Sequence, residues 1–222
     1  MPAFPSPDTL YPVLLPDGSP HLGTVFLKPA IGHARIEVGD YTYASAHRPP
    51  EDWAACLAPY LYDFSAEKLV IGRFCQIADG AKFITASANH RRDGVSTFPF
   101  AVFHRAFEDA ASIPGPGPDT VLGNDIWIGQ GARILPGARI GDGCIIGAGA
   151  VVSGVFPPYC VIVGNPGRIL RRRFDDETIA ALEKIAWWNW PVDTICREEA
   201  AICGRDIARL LHVSESLRLG QA

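Results

Sequence analysis

Between Leu122 and Val152 an aliphatic residue opens every block of six: Leu122, Ile128, Ile134, Ile140, Ile146 and Val152. Helical apolar faces return every three or four residues and strand faces every two, so neither accounts for a period of six. A repeat of that length predicts a parallel β-helix, each block supplying one short strand and one turn. The opening aliphatics should point inward and stack on their counterparts one coil later. The fifth positions, Ile126, Ala132, Ala138, Cys144 and Ala150, are mostly small, as the inside of a tight corner requires. Gly131, Gly137, Gly143 and Gly149 stand at turns, where positive φ is cheap for glycine alone. The last position of each block should face outward, which leaves Trp127 exposed.

The same pattern appears in IGRFCQ (71–76), IADGAK (77–82) and FITASA (83–88), and one coil is expected in 31–43 with Val38 inward. Residues 1–30 read as irregular. The chain thus divides into an N-terminal segment 1–30, a repeat body 31–170 with excursions at 44–68 and 89–120, and a tail 171–222. The first excursion predicts a short helix near Glu51–Leu57. In the tail, acidic residues precede Ile179, Leu182, Ile185 and Ala186 at helical spacing. A second helix is expected from Pro191 and a third from Gly204. Trp187, Trp188 and Trp190 are expected in helix packing or subunit contacts.

Composition narrows the function. A 222-residue chain that is 48% hydrophobic and 20% charged can bury a core. Its formal net charge of −4 gives no support to nucleic-acid binding. No apolar run reaches the length of a membrane span, and the N-terminus lacks a signal-peptide pattern. The six cysteines form no CxxC and are expected as reduced thiols of a cytoplasmic protein, Cys75 and Cys144 inside the repeat.

Long loops thrown from a repeat scaffold tend to carry function. His90 stands at the root of the second excursion, where its imidazole could accept a proton from a hydroxyl. His21, His33, His47 and His212 have no suggestive neighbours in sequence. His104 is fourteen residues from His90, and no histidine spacing typical of a metal site occurs, so no metal is expected. Arg168, Arg171, Arg172 and Arg173 form either a solvated basic surface or a phosphate clamp. An outward Trp127 suggests a ligand or partner surface.

Together VGDYTY (38–43), KLVIGRFCQIADGAKFI (68–84), ANHRRDGVSTFPF (88–100), GNDIWIGQGARILPGARIGDG (123–143), VGNPGRILRRRF (163–174) and WWNWP (187–191) resemble the hexapeptide-repeat xenobiotic O-acetyltransferases. That family includes the streptogramin (virginiamycin) acetyltransferases and the CatB-type chloramphenicol acetyltransferases. The resemblance runs from about Tyr11 to Pro191. It implies an all-β solenoid, a left-handed parallel β-helix with a C-terminal α-helical tail, assembled as a homotrimer with sites between neighbouring subunits. It implies acetyl transfer from acetyl-CoA to a hydroxyl of a small molecule without a metal, with His90 as general base. Gly147, Ala148 and Ser153 would meet the pantetheine arm; Asn165, Arg168, Arg171 and Arg172 would meet the nucleotide. Tyr43, Tyr62 and Trp127 would line the acceptor pocket.

The sequence departs from the family at the acceptor side: ASAHRPPEDWAAC (44–56), PYLY (59–62) and AVFHRAFEDAASIPGPGP (101–118). An antibiotic-type acceptor leads. A sugar or cell-envelope precursor as acceptor, a nucleotide-sugar N-acyltransferase, and a non-catalytic CoA-binding scaffold are the alternatives.

Overall fold

The computed structural model of the chain describes residues 4–104 and 114–220; residues 105–113 of the second excursion lie outside them. Three sheets make up the body. One runs Thr24–Phe26, Tyr43–Ser45, Gln76–Ile77, Trp127–Ile128, Ile145–Ile146, Cys160–Val163, Arg168–Arg172. A second runs Val155–Phe156, Arg139–Ile140, Thr120–Leu122, Leu69–Ile71, Ile36–Val38, and a third Val151–Val152, Arg133–Ile134, Lys82–Phe83. Every pairing is parallel except the two outermost of the first sheet.

Successive strands of the repeat go to the second, first and third sheet in rotation. Leu122 therefore pairs with Ile140, Ile128 with Ile146 and Ile134 with Val152, partners eighteen residues apart. Each strand contributes one outward and one inward residue, so the period of six sets both spacing and side-chain direction. Ile128, Ile134, Ile146 and Val152 are fully buried, as are Ile126, Ala132, Ala138, Cys144 and Ala150. Complete burial of an Ile or Val side chain contributes roughly 1.5–3 kcal/mol, so each member of this column stabilises the fold. Gly131, Gly137, Gly143 and Gly149 all have positive φ, 65° to 72°. Val38 pairs with Ile71 and packs against the core from a partly buried position.

Outside the repeat the structure adds detail. Within 1–30, read as irregular from sequence, Thr24–Phe26 forms a strand antiparallel to Tyr43–Ser45 and Leu27–Ala30 a short helix. Its pairing partner is remote in sequence, so no local pattern announces it. The first excursion carries the helix Trp53–Leu57, capped by Asp52, whose carboxylate accepts the Ala55 N–H. The last strand runs to Arg172, past the boundary set at 171. The tail follows with Asp176–Ile185, Val192–Arg197, Glu199–Gly204 and Ile207–Leu219. Gly204 ends a helix rather than starting one; Asp206 caps the next through the Arg209 N–H. These helices and Tyr159 build a second core, with Trp190 buried in it and Trp187 packed against it. No helix among the described residues is long and apolar enough to cross a membrane, and all six cysteines are free thiols.

Candidate functional site

The seven-stranded sheet places one continuous row of residues on its outer face: Tyr43, Gln76, Trp127, Ile145, Val161 and Arg171 are register partners in turn. Neighbouring strands stand about 4.8 Å apart, so Tyr43 and Trp127 lie roughly 10 Å from each other. The Trp127 side chain is 53% exposed although both its strand neighbours are partly covered.

Arg171 joins the row through an irregularity. Residues three apart on a regular strand face opposite ways. Between Val161 and Ile162 the register with the last strand shifts, so that Arg168 pairs with Val163 and Arg171 with Val161. Both partners face outward, and the shift therefore puts both arginines on the outer face. Arg172 pairs with Cys160, an inward residue, and forms an ion pair with Asp176 at 3.0 Å. Arg168 and Arg171 donate only to the carbonyls of Gly167 and Arg172, at 3.0 and 3.2 Å. Neither meets a carboxylate among the described residues. Asn165 lies exposed in the turn before them.

Gly147 and Ala148 form the turn by which the chain leaves this sheet for the three-stranded one. A Cβ at Gly129 would come within 2.6 Å of the Ala148 nitrogen, and one at Gly147 within 3.0 Å of Val163 Cγ1. The turns are stacked in contact, and Ala148 is open to solvent. Ser153, also exposed, sits at a different corner, between the three-stranded and five-stranded sheets.

His90 emerges on that other side. It follows the short 3-10 turn Ala86–Ala88, on the segment that leads from Lys82–Phe83 of the three-stranded sheet to Thr120–Leu122 of the five-stranded one. Its ring is exposed, with Nδ1 2.9 Å from the Thr97 carbonyl oxygen. A carbonyl can only accept, so Nδ1 carries the proton and Nε2 presents its lone pair outward. Behind it Ser87 donates its N–H to Glu67 at 2.6 Å, and the Ser65 and Ser87 hydroxyls bond at 2.7 Å. Ser65 Oγ also accepts the Tyr62 N–H at 3.0 Å. The structure thus puts Tyr62 near the root of the His90 loop, while Tyr43, Trp127, Arg168 and Arg171 share the seven-stranded face.

Two residues that sequence spacing passed over also come together: His21 and His47 line one cavity with Asp79 and Gln130. These four residues arrive from four separate segments, so spacing held no signal for them. No group of three His, Cys, Asp or Glu that could hold an ion occurs among the described residues.

The family model described as bacterial transferase hexapeptide (six repeats) matches residues 119–154. A chloramphenicol acetyltransferase of Agrobacterium fabrum is 41% identical over 80% of this chain and 86% of its own length. The chain belongs to the hexapeptide-repeat acetyltransferases. A virginiamycin A acetyltransferase of Staphylococcus aureus is 39% identical to this acetyltransferase over 93% of this chain and 92% of its own. A crystal structure of a hexapeptide-repeat acetyltransferase from Vibrio cholerae, solved with acetyl-CoA, is 25% identical with a TM-score of 0.41, covering 64% of this chain and 62% of that one.

Proposed function

We propose that this acetyltransferase moves acetyl from acetyl-CoA to a hydroxyl of an antibiotic-type small molecule, streptogramin A or chloramphenicol-like, with His90 as general base. The observation that carries the role of His90 is its hydrogen bond to Thr97. With Nδ1 committed as donor, Nε2 is the free base. It takes the hydroxyl proton as the oxygen bonds to the acetyl carbon, and returns that proton to the departing thiolate. The ester and free CoA thiol balance the exchange.

The exposed guanidinium groups of Arg168 and Arg171, on one face and without carboxylate partners, fit the phosphates of a CoA nucleotide. Gly147, Ala148, Ser153 and Asn165 are accessible to the rest of that molecule. Tyr43 and Trp127 offer the acceptor a wall, and Tyr62 would add to it from the His90 side.

His90 and Tyr62 are carried by the excursions and not by strands of the seven-stranded sheet. A homotrimer unites the two halves, with the His90 loop of one subunit against the Trp127 row of the next. The three sheets would wind as a left-handed β-helix, with residues 31–170 as the body, 1–30 and 171–222 as its flanks, and the excursions 44–68 and 89–120 at the subunit boundary. Six free thiols and acetyl-CoA as donor fit the cytoplasm.

Thiol release from acetyl-CoA with chloramphenicol and a streptogramin A tests the reading directly. His90→Ala should lower turnover roughly a hundredfold or more while CoA still raises the melting temperature. Full turnover in His90→Ala would remove His90 from the mechanism.

A further inference from the structure

One corner of the repeat body carries a column of stacked turns. Gln76–Ile77, Trp127–Ile128 and Ile145–Ile146 of the seven-stranded sheet lead to Lys82–Phe83, Arg133–Ile134 and Val151–Val152 of the three-stranded one, through turns that hold Asp79, Gln130 and Ala148. The Asp79 carbonyl accepts the Gly131 N–H at 3.0 Å, and the Gln130 carbonyl the Gly149 N–H at 2.8 Å, so each turn rests on the next. At the far end the Gly164 carbonyl accepts the Val151 N–H at 3.0 Å and brings the neighbouring Asn165 to the same corner.

Beyond Asp79 the column stops. Tyr43–Ser45 pairs with Gln76–Ile77 as the next coil, but the chain then leaves into the first excursion. Lys82–Phe83 therefore remains the edge of the three-stranded sheet. Where one more turn would lie there is a cavity of about 550 Å³, walled by Gly23, Ala46, Pro49, Ala78, Asp79 and Gln130 among others. Its lining is mainly apolar. The volume is that of a small-molecule site and far exceeds what a two-carbon acetyl group fills.

The position of the cavity on the column points to its occupant. Neighbouring coils are about 4.8 Å apart, so the turns of Asn165 and Asp79 are separated by roughly 14 Å. Pantetheine is an amide chain equivalent to about four residues, and it too spans roughly 14 Å when extended. A CoA with its phosphates at Arg168 and its arm over Ala148 and Gln130 therefore brings its thioester to Asp79, in the cavity wall. The group that the sulfur carries then continues into the cavity, and the acceptor reaches the carbonyl from the Trp127 row.

We propose that this cavity holds the acyl chain of the donor and admits straight-chain acyl-CoAs longer than acetyl-CoA. Acetyl leaves most of the space to water, whereas each further methylene moves from water to an apolar wall and should tighten binding roughly two- to fourfold. The transfer step is unchanged: the acyl carbon–sulfur bond breaks, the ester bond to the acceptor oxygen forms, and the hydroxyl proton ends on the thiolate. The inference rests on the donor lying along the Ala148 turns, and it deepens that reading by naming the class of donor.

Calorimetric titration of the full-length protein with CoA, acetyl-CoA and butyryl-CoA, without acceptor, tests it. Butyryl-CoA should bind roughly fivefold or more tightly than acetyl-CoA. In Ala78→Leu, a partly exposed position beside buried Ile77, the narrowed cavity should bring that ratio close to one. Equal or weaker binding of butyryl-CoA, or a preference unchanged in Ala78→Leu, would overturn the proposal and leave the donor path standing; failure of CoA and both thioesters to bind would overturn the two together. The wild-type comparison decides alone if the variant does not fold. Thiol release with chloramphenicol is read in parallel. Turnover of acetyl-CoA but not of butyryl-CoA would also overturn the proposal; the butyryl preference with no turnover of either donor would support it and count against the acceptor alone.

Discussion

Glu67 accepts the backbone N–H of Ser87 at 2.6 Å, and the carboxylate doing so is only 3% exposed. Glu67 lies at the end of the first excursion, and Ser87 stands two residues before the second begins, three residues before His90. The bond, with the Ser65–Ser87 hydroxyl pair beside it, ties the two non-repeating segments together behind the proposed base.

Glu67 is therefore expected to act as a positioning residue. Glu67→Ala should lower kcat about tenfold while leaving the KM for acetyl-CoA near its original value, since a misplaced base costs rate rather than donor binding. Glu67→Gln retains an accepting oxygen and should recover most of the rate. Steady-state kinetics decide it: parallel losses in kcat and donor affinity, or no rescue by glutamine, would mean that Glu67 serves the fold alone.

Arg168 and Arg171 are expected to bind the donor as a pair. Exchanging both for alanine should raise the acetyl-CoA KM several-fold more than it lowers kcat. Arg172→Ala should have the smaller effect, because Arg172 turns away and pairs with Asp176. A larger KM effect at Arg172 than at the pair would show that the register shift does not organise the clamp.

Asp125 makes stability depend on pH. Burial lifts its carboxyl from 3.8 to about 6, against the opposing charge of Arg173. Between those values the folded state holds a proton that the unfolded state has lost. Wild-type stability should accordingly fall as pH rises through this window and level off above it. Asp125→Asn escapes the penalty, and asparagine tolerates the left-handed φ of 52° at this position. Its advantage in urea unfolding should grow from pH 4 to pH 7, reaching roughly 1–3 kcal/mol. A constant difference across that range would contradict the assignment.

The column of inward aliphatics should show in mutational stability. Ile134→Ala empties a fully buried position and should cost about 2–5 kcal/mol. Its outward neighbour is a control: Arg133→Ala should change stability by about 0.5 kcal/mol at most. Similar melting temperatures for the two variants would argue against the register.

Most of the repeat body was legible because its rule is local. A strand of two residues, a glycine turn and a small corner residue recur together, so Ile134, Ala138 and Gly137 each declare their position through their place in the block. The start of the tail was legible for the same reason, through acidic residues ahead of an apolar helical spacing. His90 and the arginines could be singled out through motif and placement.

What tertiary structure alone decided depends on partners remote in the chain. The strand Thr24–Phe26 exists because Tyr43–Ser45 offers it an edge. Arg168 shares a face with Arg171 because the register slips opposite Val161 and Ile162, and Arg172 is turned away by the same slip. Tyr62 leaves Tyr43 and Trp127 for the His90 root because Ser65 and Glu67 are held there by Ser87. His21, His47, Asp79 and Gln130 converge only after the turns have stacked. Sequence determined the periodic part of this protein, since periodicity is set by each residue's nearest neighbours. The composition of its cavities and faces was decided by contacts between segments that only the folded chain brings within reach.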